Sequence, residues 1–132
     1  MISKILPFRK EKIQSILKKY PTPFHIYDEK AIRENARRFL KAFSILEGFK
    51  QFFAVKANPN PYILNILMQE GMGVDCSSYA ELEMTERIGI KGECIMFSSN
   101  DTPAEEFVKA KQLGAIINLD DITHIEFLEK TA

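Results

Sequence analysis

The sequence predicts a parallel α/β architecture, and three observations carry that prediction. From residue 51 onward a short apolar run, a polar loop and a helical stretch follow one another four times, in units of about 20 residues. The apolar runs are continuous rather than alternating, as in strands whose two faces are both covered. No hairpin turn separates them, and Gly71, Gly89 and Gly114 fall at corresponding helix ends. Strand and helix alternating in this way imply parallel pairing through crossovers. The pattern by itself fits an open doubly wound sheet and part of a (β/α)8 barrel equally.

The elements follow in order. RKEKIQSILKKY (9–20) reads as a short amphipathic helix with Ile13, Ile16 and Leu17 on one face. Pro21 and Pro23 end it and force extended backbone, so FHIY (24–27) reads as a short strand. Asp28 is a candidate N-cap. Ile32, Ala36, Phe39, Leu40 and Phe43 then recur at helical spacing, which predicts a helix from Glu29 to about Leu46, closed near Gly48. The four units are QFFAV–KANPNP–YILNILMQEG, GVDC–SSYAELEMTERIG, ECIMF–SSNDTP–AEEFVKAKQLG and AIINL–DD–ITHIEFLEK. Residues 1–22 form an N-terminal helical arm in this reading, and 23–132 a single α/β body.

Composition narrows the function classes. The 132 residues are 45% hydrophobic and 27% charged, as in a globular domain with a core of its own. Eighteen basic residues balance eighteen acidic ones, which favours neither nucleic acid nor an anionic membrane as partner. KEK (10–12) and the arginine pair at 37–38 read as solvated helix faces. MISKILPFRKEKIQ has no signal-peptide core, and no run reaches the roughly 20 apolar residues of a membrane span. Cys76 and Cys94 form no CxxC, and each sits in an apolar segment. Both are expected to be buried reduced thiols, and a cytoplasmic location follows from that.

In parallel α/β folds the loops at the carboxyl ends of the strands carry function. Here that rim holds Lys56, Asn58, Asp75, Ser77, Ser78, Ser98, Ser99, Asn100, Asn118 and Asp120. Lys56 stands out. An amine at the mouth of a sheet, partly stripped of water, loses its proton easily and becomes a nucleophile toward aldehydes. Asp75, one strand along, could orient that amine. The plainer alternative is a Lys56–Asp75 surface ion pair worth under about 1 kcal/mol. His25 and His124 are the only histidines; His124 is expected on the side of its unit away from the rim, so neither serves a nucleophile. There is no glycine-rich phosphate loop, since the glycines of GMGVD lead into a strand rather than out of one. The acidic residues lack metal-ligand spacing, so no metal site is expected.

FFAVKANPNP (52–61) resembles the cofactor-lysine segment of the ornithine/diaminopimelate/arginine decarboxylase family, the fold-type III pyridoxal-phosphate enzymes. TPFHIYDEKAIREN (22–35) resembles the family's entry strand and first helix, GVDCSSYAELEMTERIGI (73–90) its second-strand motif and ECIMFSSNDTPAEEFVKAKQLGAIINLDD (93–121) its third and fourth units, in order and spacing. The resemblance implies a (β/α)8 TIM-type barrel of the alanine racemase/decarboxylase kind, of which about the first four βα units are here. It implies that Lys56 holds pyridoxal 5'-phosphate as a Schiff base, that Asp75 and Glu81 are the acidic residues near that lysine, and that Ser77 and Ser98 face the cofactor. Without the family, Glu81 reads as an ordinary first-turn helix residue. Racemases tend to follow the lysine with a tyrosine-bearing, glycine-rich segment. NPNPY and DCSS depart from that and favour the decarboxylases.

A whole barrel has eight units and about 250 residues. The chain therefore reads as a truncated form without the late phosphate-gripping loops and the C-terminal β-domain, and inactive alone. Its half-barrel is expected to leave two open edges and one uncovered face. The expected partners are an amino-acid substrate of basic or diamino type and either a second copy or a complementary half or full-length homologue. Two other functions stay open: a non-catalytic half-barrel that regulates such a homologue, and a cofactor carrier.

Overall fold

The computed structural model describes residues 7–132; residues 1–6, the start of the expected N-terminal arm, lie outside the described residues. The arm's helix, α1 (Lys10–Leu17), buries no residue, and Ile13 and Ile16 are its better-shielded positions. FHIY is not a strand. Strand-forming residues need a neighbouring strand to take up their backbone groups, and among the described residues none lies beside this segment.

Helix α2 (Glu29–Ala42) begins as expected, with the Asp28 carboxylate accepting from the Ala31 N–H at 3.2 Å. It stops four residues before Leu46. The chain reverses instead at Gly48, whose φ of +75° suits glycine, and this return stacks Phe49 on Phe43 with ring centroids 4.7 Å apart.

The remaining chain forms β1 (Phe52–Ala54), α3 (Pro61–Gln69), β2 (Gly73–Cys76), α4 (Tyr79–Arg87), β3 (Ile95–Ser98), α5 (Ala104–Gln112), β4 (Ile116–Asn118) and α6 (Thr123–Thr131). The strands pair in parallel in the order β1-β2-β3-β4. All four predicted units are present. Gly71, Gly89 and Gly114 have φ of +91°, +83° and +71°, the left-handed step by which a helix turns back toward the next strand.

Strand alternation divides the sheet. Val74, Cys76, Ile95 and Phe97 point toward the helices and join Leu64, Leu82 and Phe107 in one buried core. Phe52, Ala54, Gly73, Asp75, Met96, Ser98, Ile116 and Asn118 alternate with them onto the other face. None of these is buried, and no element among the described residues covers them. The Phe52 ring lies across Gly73 on this face. A Cβ at Gly73 would come within 2.5 Å of that ring and 2.7 Å of the Cys94 carbonyl oxygen, so only glycine fits.

Helix α2 sits apart from the main core. Ala36 packs with Ile63, Leu67 and Met72 in a second, smaller cluster. A clamp reinforces this contact: Arg37 Nε and Arg33 Nη1 reach Glu70, just past α3, at 2.6 and 2.9 Å. The Glu70 side chain is only 7% exposed. These two arginines, Arg37 foremost, hold its carboxyl below the usual glutamate range. A comparable tie joins α5 to α4, where Lys109 sits 2.8 Å from Glu83 and 2.6 Å from Glu86.

Candidate active site

The carboxyl end of β1 presents Lys56. Immediately after Ala54 a single 3-10 turn, Val55–Ala57, replaces the strand, and the Asn58 N–H closes it on the Val55 carbonyl at 3.1 Å. Val55 is fully buried and pins the turn to the core, so the next side chain, Lys56, is thrown outward at the rim. Lys56 is exposed. The partial loss of water expected from its position is therefore absent in this chain, because only one side of the mouth has a wall.

Asp75 lies one strand away, in register with Ala54. Its Oδ1 is buried and has no hydrogen-bond partner among the described residues. Burial pushes the Asp75 carboxyl above its usual range; the Ser98 side chain and the charge of Lys56 draw it partly back. Lys56, Asp75 and Ser98 thus act on one another at the end of β1, β2 and β3. The expected Lys56–Asp75 contact is a through-space influence rather than a close ion pair.

Ser77 and Glu81 belong to a different arrangement. The Ser77 N–H donates to Glu81 Oε2 at 2.7 Å, while the Glu81 N–H donates to Ser78 Oγ at 3.4 Å. This reciprocal lock starts α4 and matches the helix-terminus role that Glu81 has when read from the residues alone. Below it, the Cys76 sulfur and the Thr85 hydroxyl lie 3.3 Å apart, both fully buried, and fasten β2 to α4.

Two other expectations need correction. Cys94 is exposed, because it lies in a 3-10 turn (Gly92–Cys94) leading into β3 rather than in the strand. His124 is not on the side away from the rim. It occupies the first turn of α6, with Nδ1 3.0 Å from Asp120 Oδ1, and its ring meets Phe107 edge-on. Glu106 was missed altogether: it accepts from the Tyr79 N–H at 2.8 Å, across 27 residues of sequence.

Two measurements follow from these environments. Burial pushes the Cys76 thiol up to about 11, so a thiol reagent at mildly alkaline pH is expected to modify Cys94 quickly and Cys76 only on unfolding. Two fast thiols per chain would contradict the buried position. Asp75→Asn is expected to raise stability at neutral pH. Since the folded carboxyl titrates above the unfolded one, the folded state binds more protons between the two values, and stability falls as pH rises through that window. The whole penalty is present at neutral pH, so urea midpoints should show the gain there and lose it in acid. A loss at neutral pH would mean that the carboxylate has a partner.

The arrangement fits pyridoxal 5'-phosphate at its aldehyde end. Lys56 offers an accessible primary amine, and the orphaned Asp75 oxygen is an unused acceptor beside it. Comparison with known proteins bears on the same cofactor. The family model for the pyridoxal-dependent decarboxylase, pyridoxal binding domain, matches residues 29–132. Protein TabA of Pseudomonas amygdali pv. tabaci is 50% identical over 107 residues, 81% of this chain and 25% of that protein. Diaminopimelate decarboxylase of Methanothermobacter thermautotrophicus is 35% identical over 114 residues, 86% of this chain and 27% of the enzyme. The crystal structure of lysine decarboxylase from Selenomonas ruminantium superposes with a TM-score of 0.80 at 25% identity, covering 98% of this chain and 33% of that one. The chain spans about a quarter to a third of the length of these relatives. Likeness to barrel enzymes also decides what strand pattern left open: the four units are part of a (β/α)8 barrel. The chain belongs to the pyridoxal-dependent decarboxylase family, whose cofactor is pyridoxal 5'-phosphate, and carries the N-terminal part of the pyridoxal-binding domain.

Proposed function

We propose that this chain supplies the lysine-bearing part of a decarboxylase acting on a basic or diamino acid, with Lys56 as the residue that takes the cofactor. The observation that carries this reading is the exposed Lys56 amine at the mouth of the sheet, beside a buried Asp75 oxygen with no partner. Lys56 would hold the cofactor through its primary amine, a nucleophile toward aldehydes. Asp75, whose carboxyl burial raises above its usual range, would orient the Lys56 amine from one strand away. Ser98 approaches from β3, and Ser77 and Glu81 stand at the start of α4. When bound, the cofactor supplies the electron sink that allows a carboxylate to leave as carbon dioxide. The Lys56 amine would also carry protons at the site.

The substrate class rests on relatives named as diaminopimelate and lysine decarboxylases. We place residues 1–22 as an arm and 23–132 as half of a cofactor-binding barrel in the cytoplasm. The uncovered sheet face calls for a further barrel half, from a second copy or a homologue. By itself the chain is expected to capture the cofactor and to release no carbon dioxide.

Equimolar pyridoxal phosphate, borohydride reduction and peptide mapping test this. Label concentrated on Lys56 is expected. Pyridoxal phosphate reacts with any accessible amine, so label spread evenly over exposed lysines such as Lys30 would overturn the assignment. Carbon dioxide release from diaminopimelate, lysine and ornithine, with and without a full-length homologue, then tests the reaction.

A further inference from the structure

Ser77 follows β2 and Ser98 ends β3, and one side chain is bonded just beyond both: Glu106, in the first turn of α5. Its Oε1 accepts from the Tyr79 N–H at 2.8 Å, one residue past the Ser77–Ser78 pair. Its Oε2 lies 3.4 Å from the Ser99 hydroxyl, the residue after Ser98. That hydroxyl is equally 3.4 Å from the Asn100 carbonyl, and Thr102 Oγ1 donates to the Ser99 carbonyl at 3.2 Å. Ser99 and Thr102 are both buried.

The Tyr79 N–H is one of the donors that a helix leaves free in its first turn. The Ser78 hydroxyl accepts from the Glu81 N–H and Glu81 from the Ser77 N–H, and the Tyr79 N–H is met from the next βα unit. A carboxylate there also suits the positive end of the α4 dipole. Glu106 could have served its own helix, whose N-cap, Pro103, offers no side-chain bond. It turns instead to the neighbour, and so couples the loops that follow β2 and β3.

We propose that Glu106 is a positioning residue of the cofactor site: it sets the spacing between the loops that follow β2 and β3, and through them the setting of Ser77, Ser98 and Asp75 and the ease with which Lys56 captures pyridoxal phosphate. This rests on the reading of Lys56 given above. It concerns a bridge between units, which no single unit's sequence encodes.

Three variants test it: Glu106→Ala, Glu106→Gln and, on the same helical turn, the exposed Glu105→Ala. Amide exchange at Tyr79 in the cofactor-free chain reports the bridge. The ratio of borohydride-fixed label at Lys56 to label at Lys30, across a pyridoxal phosphate titration well below each variant's melting temperature, reports the site. General loss of stability leaves the Lys30 reaction in place and is thereby told apart. Glu106→Ala is expected to speed exchange at Tyr79 and to weaken selective capture at Lys56 about tenfold, the loss of one charge-assisted hydrogen bond. Glu106→Gln should recover most of it, since its amide oxygen can accept from Tyr79 and its nitrogen can donate to Ser99; Glu105→Ala should match the wild type. Wild-type capture by Glu106→Ala overturns the proposal alone, as does an equal loss in Glu105→Ala. A wild-type chain unlabelled at Lys56 overturns the reading of the lysine, and this proposal with it.

Discussion

Lys56→Arg is expected to leave no borohydride-fixed pyridoxal phosphate at position 56, with the melting temperature unchanged. The substitution keeps the positive charge and most of the length of the side chain. What it removes is the free amine, because a guanidinium stays protonated at any workable pH and does not add to an aldehyde. Lys56 is exposed and projects from a turn held by Val55, so the fold has no stake in its head group. If the site worked only by attracting phosphate to a cation, arginine would serve as well as lysine. Selective capture by the arginine variant at another nearby lysine would move the anchor away from residue 56. Absorbance in the visible and mass mapping after reduction decide the matter together.

Phe107→Ala is expected to lower stability by about 3–5 kcal/mol, with a melting temperature lower by roughly 10–20 °C. Phe107 is 1% exposed. Its ring meets Phe97, His124 and Phe127 edge-on at centroid distances of 6.3, 5.8 and 6.0 Å. It therefore joins β3, α5 and α6. With native stabilities near 5–15 kcal/mol, that loss is a large share of the total. Ile45→Ala, at an 88% exposed position, is the matched control and should stay within about 0.5 kcal/mol of wild type. Urea midpoints for the pair give the comparison; similar values would take Phe107 out of the core.

The parts of the fold that could be read directly were those governed by local rules. QFFAV, GVDC, ECIMF and AIINL each produced a strand in the predicted order, because a short continuous apolar run between turn residues has few other uses in a chain of this kind. Asp28 caps α2 by the same local chemistry. FHIY has an equally good strand composition and forms none, since a strand exists only with a neighbour, and a neighbour is not a property of four residues. Cys94 illustrates a boundary error: one residue of offset carries a side chain from the core to the surface. Lys56 was placed on the correct rim, but its hydration depends on walls that come from elsewhere. Asp75 could be put at a strand end from its position in GVDC, whereas its unpartnered oxygen needed coordinates. Glu106 left no sequence signal, because its partner belongs to the preceding unit and a glutamate in a first helical turn is ordinary.

The arginine clamp on Glu70 gives α2 an attachment of its own. Ala36 is the one buried residue of this helix, with Ile32 and Leu40 packed at the edge of the same cluster, and the ion pairs add to that docking. A carboxylate whose folded value is depressed favours the folded state above the ordinary glutamate range and loses that advantage as pH falls through the folded value. Acid below the ordinary glutamate range should accordingly unlatch α2 from α3 before the sheet itself melts, seen as early deuterium uptake in residues 29–42 and muted in Glu70→Gln, which starts out looser. The domain would then come apart in two steps, as a shutter opening on a frame that still stands.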